Sequence, residues 1–332
     1  SPLVFLGATL PPPYWTGFDV VTNIVGYAPL GFLLALALLR TGREALAVPL
    51  ALVAGALLSL WLEFLQIYLP QRVPSNLDLV LNTAGTLAGA LCAALLERLG
   101  AIDRWSRFRD RWFAPDARGA LVLLALWPWA LLFPAAGPFG LGQVFERLEV
   151  ALADLLAGTP FLDWLPVRET PLQPLSPVAE LLCVALGLLV PCLLAYSMVR
   201  HLGRRVVLVL SIALVGVAAT ALSAALSYGP AHASAWLGMP VRVGIWVGLV
   251  LAALLVALPP RASAVLLLVV LTLQLGLLND APTSAYFAQT LLTWEQGRFI
   301  RFYGLGQWLG WLWPYATLVY VLLRASRRSR AS

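Results

Sequence analysis

The sequence predicts an all-α fold: a polytopic transmembrane bundle of about nine membrane-spanning helices with a short amphipathic helix on the outer side. Three observations carry this expectation. Of the 332 residues, 61% are hydrophobic and 11% are charged, whereas a soluble domain carries about 25% charged residues. Apolar runs near membrane length recur along the whole chain, and the mean hydropathy is +0.85. Arginine alternates from loop to loop in the way that marks the two sides of a membrane.

The apolar runs cover residues 19–39, 45–65, 78–97, 119–134, 178–199, 206–227, 241–258, 263–278 and 305–323. No soluble domain fits between them. The sequence divides accordingly into a first transmembrane region over 1–98, a basic loop over 99–118 and a C-terminal transmembrane region over 119–332.

Every basic residue is Arg, and the net charge is +6. Sixteen arginines fall in one set of loops: Arg40 and Arg43, six between Arg98 and Arg118, Arg200 to Arg205, Arg261, and the tail from Arg324. Six fall in the alternate set: Arg72, Arg147, Arg168, Arg242, Arg298 and Arg301. The richer side is the cytoplasmic one. The positive balance is therefore a topology signal, and no nucleic-acid partner is expected. Residue 1 falls outside and the C-terminus inside. The opening "SPLVFLGATL" is expected to be the outer end of a further helix preceding this sequence, which would bring both ends inside.

The stretch "LGQVFERLEVALADLLAG" (141–158) places Val144, Leu148, Ala151, Leu152 and Leu155 on one face. It reads as an amphipathic helix, lying either on the outer membrane surface or on the outer ends of the bundle. Residues 159–177 read as an irregular loop by their prolines. The aromatic stretch 293–315 reads as an interfacial belt. Cys92, Cys183 and Cys192 all fall within apolar runs and are expected to be packing residues. Cys183 and Cys192 are about 13 Å apart along one helix, too far to bridge.

The segment "WLEFLQIYLPQRVPSNLDLVLNTAG" (61–85) departs from this pattern. Glu63 lies about 27 Å along the helix axis from Ala45, near the outer edge of the hydrocarbon. Ser59, Glu63 and Gln66 share one face. Ser75 or Asn76 is positioned to cap the next helix, with Asp78 in its first turn and Asn82 one turn deeper. The preceding helix supplies Asn23, with Tyr27 one turn below it. Three helices thus bring polar groups to one depth, and Arg72 sits on the loop above. Such groups facing lipid are costly, so they are expected to face inward. Two readings stand side by side: caps and interhelical ties, or a ligand-binding pocket formed by Asn23, Tyr27, Glu63, Gln66, Arg72, Ser75, Asp78 and Asn82.

Taken together, "NIVGYAPLGFLLA" and "EFLQIYLPQRVPSNLDLVLNTAGTLAG" resemble the VanZ-like membrane proteins. The matching residues are Asn23, Pro29, Gly31, Glu63, Gln66, Arg72, Ser75, Asp78, Asn82 and Gly85. The likeness covers roughly residues 15–98, with a fainter echo in "GQWLGWLWPYA". Asn23 stands where shorter members often carry His, which weakens any proton-transfer role there. The resemblance implies a bacterial inner-membrane protein and, through the family's founder, a setting in glycopeptide antibiotic resistance. It implies no particular reaction.

The leading expectation is a protein that binds, and could transport, an anionic lipid-linked envelope molecule at the outer leaflet, with Arg72 on a phosphate. A membrane enzyme acting on such a lipid, with Glu63 and Asp78 as base and metal ligand, is the alternative. No nucleophile–base pair supports it, and His201 and His232 stand apart. No catalytic residue, metal site or cofactor is assigned. A third reading is an accessory subunit with a membrane-protein partner, for which the Gly85/Gly89 pair offers a close-packing face.

Overall fold

The computed structural model describes residues 17–68, 75–133, 137–165, 172–228, 230, 233–282 and 300–329. These form eleven α-helices, one 3-10 turn and no strand among the described residues. In chain order the helices are α1 (Gly17–Arg40), α2 (Glu44–Gln66), α3 (Asn76–Arg98), α4 (Ala101–Trp112), α5 (Arg118–Leu131), α6 (Phe145–Leu156), α7 (Pro177–Tyr196), α8 (Leu202–Tyr228), α9 (Met239–Leu254), α10 (Pro260–Asn279) and α11 (Ile300–Ser329). Six stretches are long and apolar enough to cross a membrane: Val20–Arg40, Glu44–Gln66, Asn76–Arg98, Pro177–Tyr196, Leu202–Leu226 and Pro260–Asn279. Helices α5 and α9 are apolar but shorter. The protein is a helical membrane bundle.

The chain forms two compact units, Ser1–Arg111 and Trp112–Ser332. In the first, α1 and α2 are joined through Gly42, whose φ of +76° turns the chain back. Reversal at both ends of α2 makes α1 and α3 parallel neighbours. They meet through glycine: a Cβ on Gly85 would run into the backbone of Ile24, and one on Gly89 into the Ala28 carbonyl. Gly31 faces the Thr86 backbone, and Gly55 of α2 faces the Thr86 side chain. Small residues let helix backbones approach where no hydrophobic force drives helices together. Deeper in, Ala35, Ala51, Ala90 and Ala93 continue the same contact.

The second unit is built around α7, whose residues from Val184 to Tyr196 are nearly all buried. Helix α9 lies against it through Gly244 and Gly248, which face the backbone at Leu181 and Ala185. Helices α5 and α11 are tied by the Trp313 indole, which donates to the Leu123 carbonyl at 2.7 Å. Trp313 is therefore a core residue, while the nearby Trp308 is exposed in the manner of a belt. At one end, Arg205 in the first turn of α8 is 2% exposed. Its guanidinium donates to the carbonyls of Tyr196, Val199, Val256 and Leu258 at 2.6–2.9 Å. Tyr196 ends α7, and Val199, Val256 and Leu258 lie just beyond the ends of α7 and α9, so one arginine gathers the chain where two helices finish and a cation is favoured.

Three local features differ from expectation. The stretch 99–118 contains helix α4, whose arginines alternate with Ile102, Trp105 and Phe108 at helical spacing. The amphipathic helix begins at Phe145 and ends at Leu156, not over 141–158. The reason is that 137–144 is irregular and almost wholly buried. Its backbone groups are satisfied by side chains of α10 and α11. Gln274 donates to Phe139 O, Asn279 to Gly142 O and Tyr315 to Gly142 O. Asn279 Oδ1 accepts from the amides of Val144 and Phe145, so α10 caps α6. Irregular backbone is tolerated in a bundle only with such partners. Within 159–177, residues Pro160–Trp164 form the 3-10 turn.

Candidate functional site

The parallel course of α1 and α3, with α2 antiparallel, puts the start of α1, the end of α2 and the start of α3 at one end of the first unit. Three hydrogen bonds tie them there. Asn23 Nδ2 of α1 donates to Asp78 Oδ1 of α3 at 2.8 Å. The Ser75 amide donates to Glu63 Oε2 of α2 at 2.9 Å. Asn82 Nδ2 of α3 donates to Ser59 Oγ of α2 at 2.9 Å.

The local sequence explains each position. Ser75 is the N-cap of α3, and its hydroxyl accepts from the Asp78 amide at 3.3 Å. The serine–acid spacing is that of a helix start, and the carboxylate sits where the helix dipole favours it. Glu63, 2% exposed, accepts from the backbone amide of that cap residue. A carboxylate so buried needs such donors.

One turn further in, Tyr27 is hydrogen-bonded to Ser59 and feels the charges of Glu63 and Asp78. Asn82 is 6% exposed. Its Oδ1 is buried and has no hydrogen-bond partner. Glu97 Oε2 and Arg147 Nε share that condition, but both belong to residues that are only partly buried. Leaving a buried acceptor unmet costs about 1–3 kcal/mol.

The structure thus brings together Asn23, Tyr27, Glu63, Ser75, Asp78 and Asn82, but in two strands of contact. Asp78 turns to α1, while Asn82 turns to α2. Gln66 is the last residue of α2 and only partly buried. Arg72 lies outside the described residues. Ser59 and Thr86 also take part: the Thr86 hydroxyl donates to the Asn82 carbonyl of its own helix at 2.9 Å. Ser59 was detectable in sequence from its spacing four residues before Glu63. Thr86 carried no such signal, because a helical threonine commonly bonds its own backbone. Arg298 and His232 lie outside the described residues. Among the described residues, no group of three His, Cys, Asp or Glu side chains is arranged to hold a metal ion.

The VanZ/LLP1 family model matches residues 3–97. The matched segment includes all the residues of this cluster. No curated protein and no solved structure matches the chain.

Proposed function

We propose that this chain, VanZ-like over its first three spans and extended by a longer C-terminal region, binds the headgroup of an anionic lipid-linked cell-envelope molecule at the polar end of α1–α3. The observation that carries the reading is the buried Asn82 Oδ1, which has no partner although Ser59, Tyr27 and Asp78 are all engaged. An acceptor held dry and unmet suits a ligand that brings a hydroxyl or an amide N–H. Saccharide and peptide headgroups offer both.

In this reading the acids position rather than react. Glu63 holds the start of α3, and Asp78 fixes Asn23. Arg72, by its place between Glu63 and Ser75 in the sequence, supplies the phosphate contact, for which a guanidinium fork is well shaped. Asn23, Tyr27 and Gln66 line the approach. The polar end faces the periplasm, and the arginine-rich end faces the cytoplasm. A link to glycopeptide resistance would follow if the ligand is a cell-wall precursor.

The test is native mass spectrometry of gently extracted protein, wild type against Arg72→Ala and Asn82→Leu. A co-purifying envelope lipid of defined mass, lost in both variants, is the expected result. The same lipids on all three proteins would leave the polar cluster as a structural tie.

A further inference from the structure

Helix α4 presents a surface that the polar end of α1–α3 does not explain. It begins two residues after α3, across Gly100 with φ +66°, so the chain bends sharply as it leaves the span. Arg40, the last residue of α1, donates from Nη2 to Ser106 Oγ in the middle of α4 at 2.8 Å. The helix therefore crosses the ends of α1 and α3 where both leave the hydrocarbon. Four arginines within twelve residues keep it out of the apolar core.

Its side chains divide by angle. At 100° per residue, Arg104, Arg107 and Arg111 share one arc. Trp105 and Phe108 occupy the next arc, with ring centroids 5.6 Å apart. They are 54% and 39% exposed. Asp103 and Asp110 fall together opposite the aromatic arc and next to the arginine arc, and Asp110 is paired with Arg109 at 2.7 Å. An apolar arc flanked by cations, with the acids on the face opposite the rings, is complementary to one occupant above others. The aromatic rings match the acyl–headgroup boundary, and the arginine arc matches phosphate.

We propose that α4 lies in the membrane plane and binds anionic phospholipid headgroups at the arginine-rich end of the first unit. Trp105 and Phe108 enter the interface, and Arg107, Arg111 and Arg104, whose Nη2 also donates to the Leu99 carbonyl at 2.8 Å, contact lipid phosphates. This does not depend on the headgroup site at the opposite end.

The experiment is hydrogen–deuterium exchange on the full chain in nanodiscs of phosphatidylcholine, with and without phosphatidylglycerol. Each basic residue near an anionic surface contributes on the order of fivefold in affinity. Amides of residues 101–112 should exchange about tenfold more slowly in the anionic discs, with the gain reduced by salt. The R104Q/R107Q/R111Q variant should lose that gain, and W105A/F108A should lower protection in both lipids. These residues lie on the surface, and the unchanged exchange of α2 serves as the folding control. Equal protection of α4 in both lipids would mean that protein covers the helix, and would overturn the proposal. So would a gain that survives in the triple-glutamine variant.

Discussion

Asn82 of α3 and Ser59 of α2 form a 2.9 Å hydrogen bond between two almost fully buried side chains, and it uses only half of the asparagine. The unused oxygen makes the pair unlike an ordinary interhelical tie, in which both ends of the amide would be met. Asn82→Leu removes the donor and the orphan acceptor together, and Ser59 keeps Tyr27 as a partner. The orphan costs about 1–3 kcal/mol and the lost hydrogen bond contributes about 0.5–1.5 kcal/mol, so the two largely offset. The variant should melt within a few degrees of wild type, read by a thermal-shift assay in detergent, while losing any bound headgroup. A large drop in melting temperature would make Asn82 structural.

Glu63 tests whether an acid at this position anchors or reacts. Its Oε2 meets the Ser75 amide, a contact that Gln can also accept. Glu63→Gln should fold with the α3 N-terminus intact. Glu63→Ala leaves the partly buried Ser75 amide without this acceptor and should cost about 1 kcal/mol. Amide exchange over residues 75–79 should rise in the alanine variant and stay near wild type in the glutamine variant.

Arg205 should be among the most sensitive residues of the second unit. Arg205→Ala strips four carbonyls of their donor at once. Loss of several kcal/mol is expected, since each hydrogen bond to a charged group contributes about 1.5–3 kcal/mol. Lysine restores the charge on a single ammonium without the planar fork, so Arg205→Lys should recover only part. Exchange at the C-terminal ends of α7 and α9 locates the damage.

The α1–α3 contact can be tested with Gly89→Leu. Its Cβ would overlap the Ala28 backbone, which cannot rotate away as a side chain could. Overpacking of this kind costs about 1–3 kcal/mol. Reduced expression and a lowered melting temperature are expected, whereas Gly26→Leu, with open space at its Cβ, should be tolerated.

The spans were legible because membrane length and an apolar window are properties of contiguous residues. The approach of three polar helix ends was legible too: Asn23, Glu63 and Asp78 sit at computable depths along helices joined by short turns. The partners were harder to see. Asp78 and Asn82 share a helix face, yet one pairs with α1 and the other with α2, a division set by glycine packing against Ile24 and Ala28. Helix α4 was read as a loop because its arginines were counted as a topology signal and their spacing went unread. The buried segment 137–144 gave no local sign at all. Its donors lie on α10 and α11, more than 130 residues away.

That distance has a consequence for biogenesis. Phe139, Gly142 and Val144 leave the ribosome long before Gln274, Asn279 and Tyr315 exist. A bare peptide group in hydrocarbon costs several kcal/mol, so the segment must wait in water until the last helices arrive. The first unit, by contrast, has every partner in its polar cluster by Thr86. Synthesis therefore leaves the second half of the protein unsealed almost to the end, and a chain arrested before α10 would offer 137–144 to the proteases that survey the membrane.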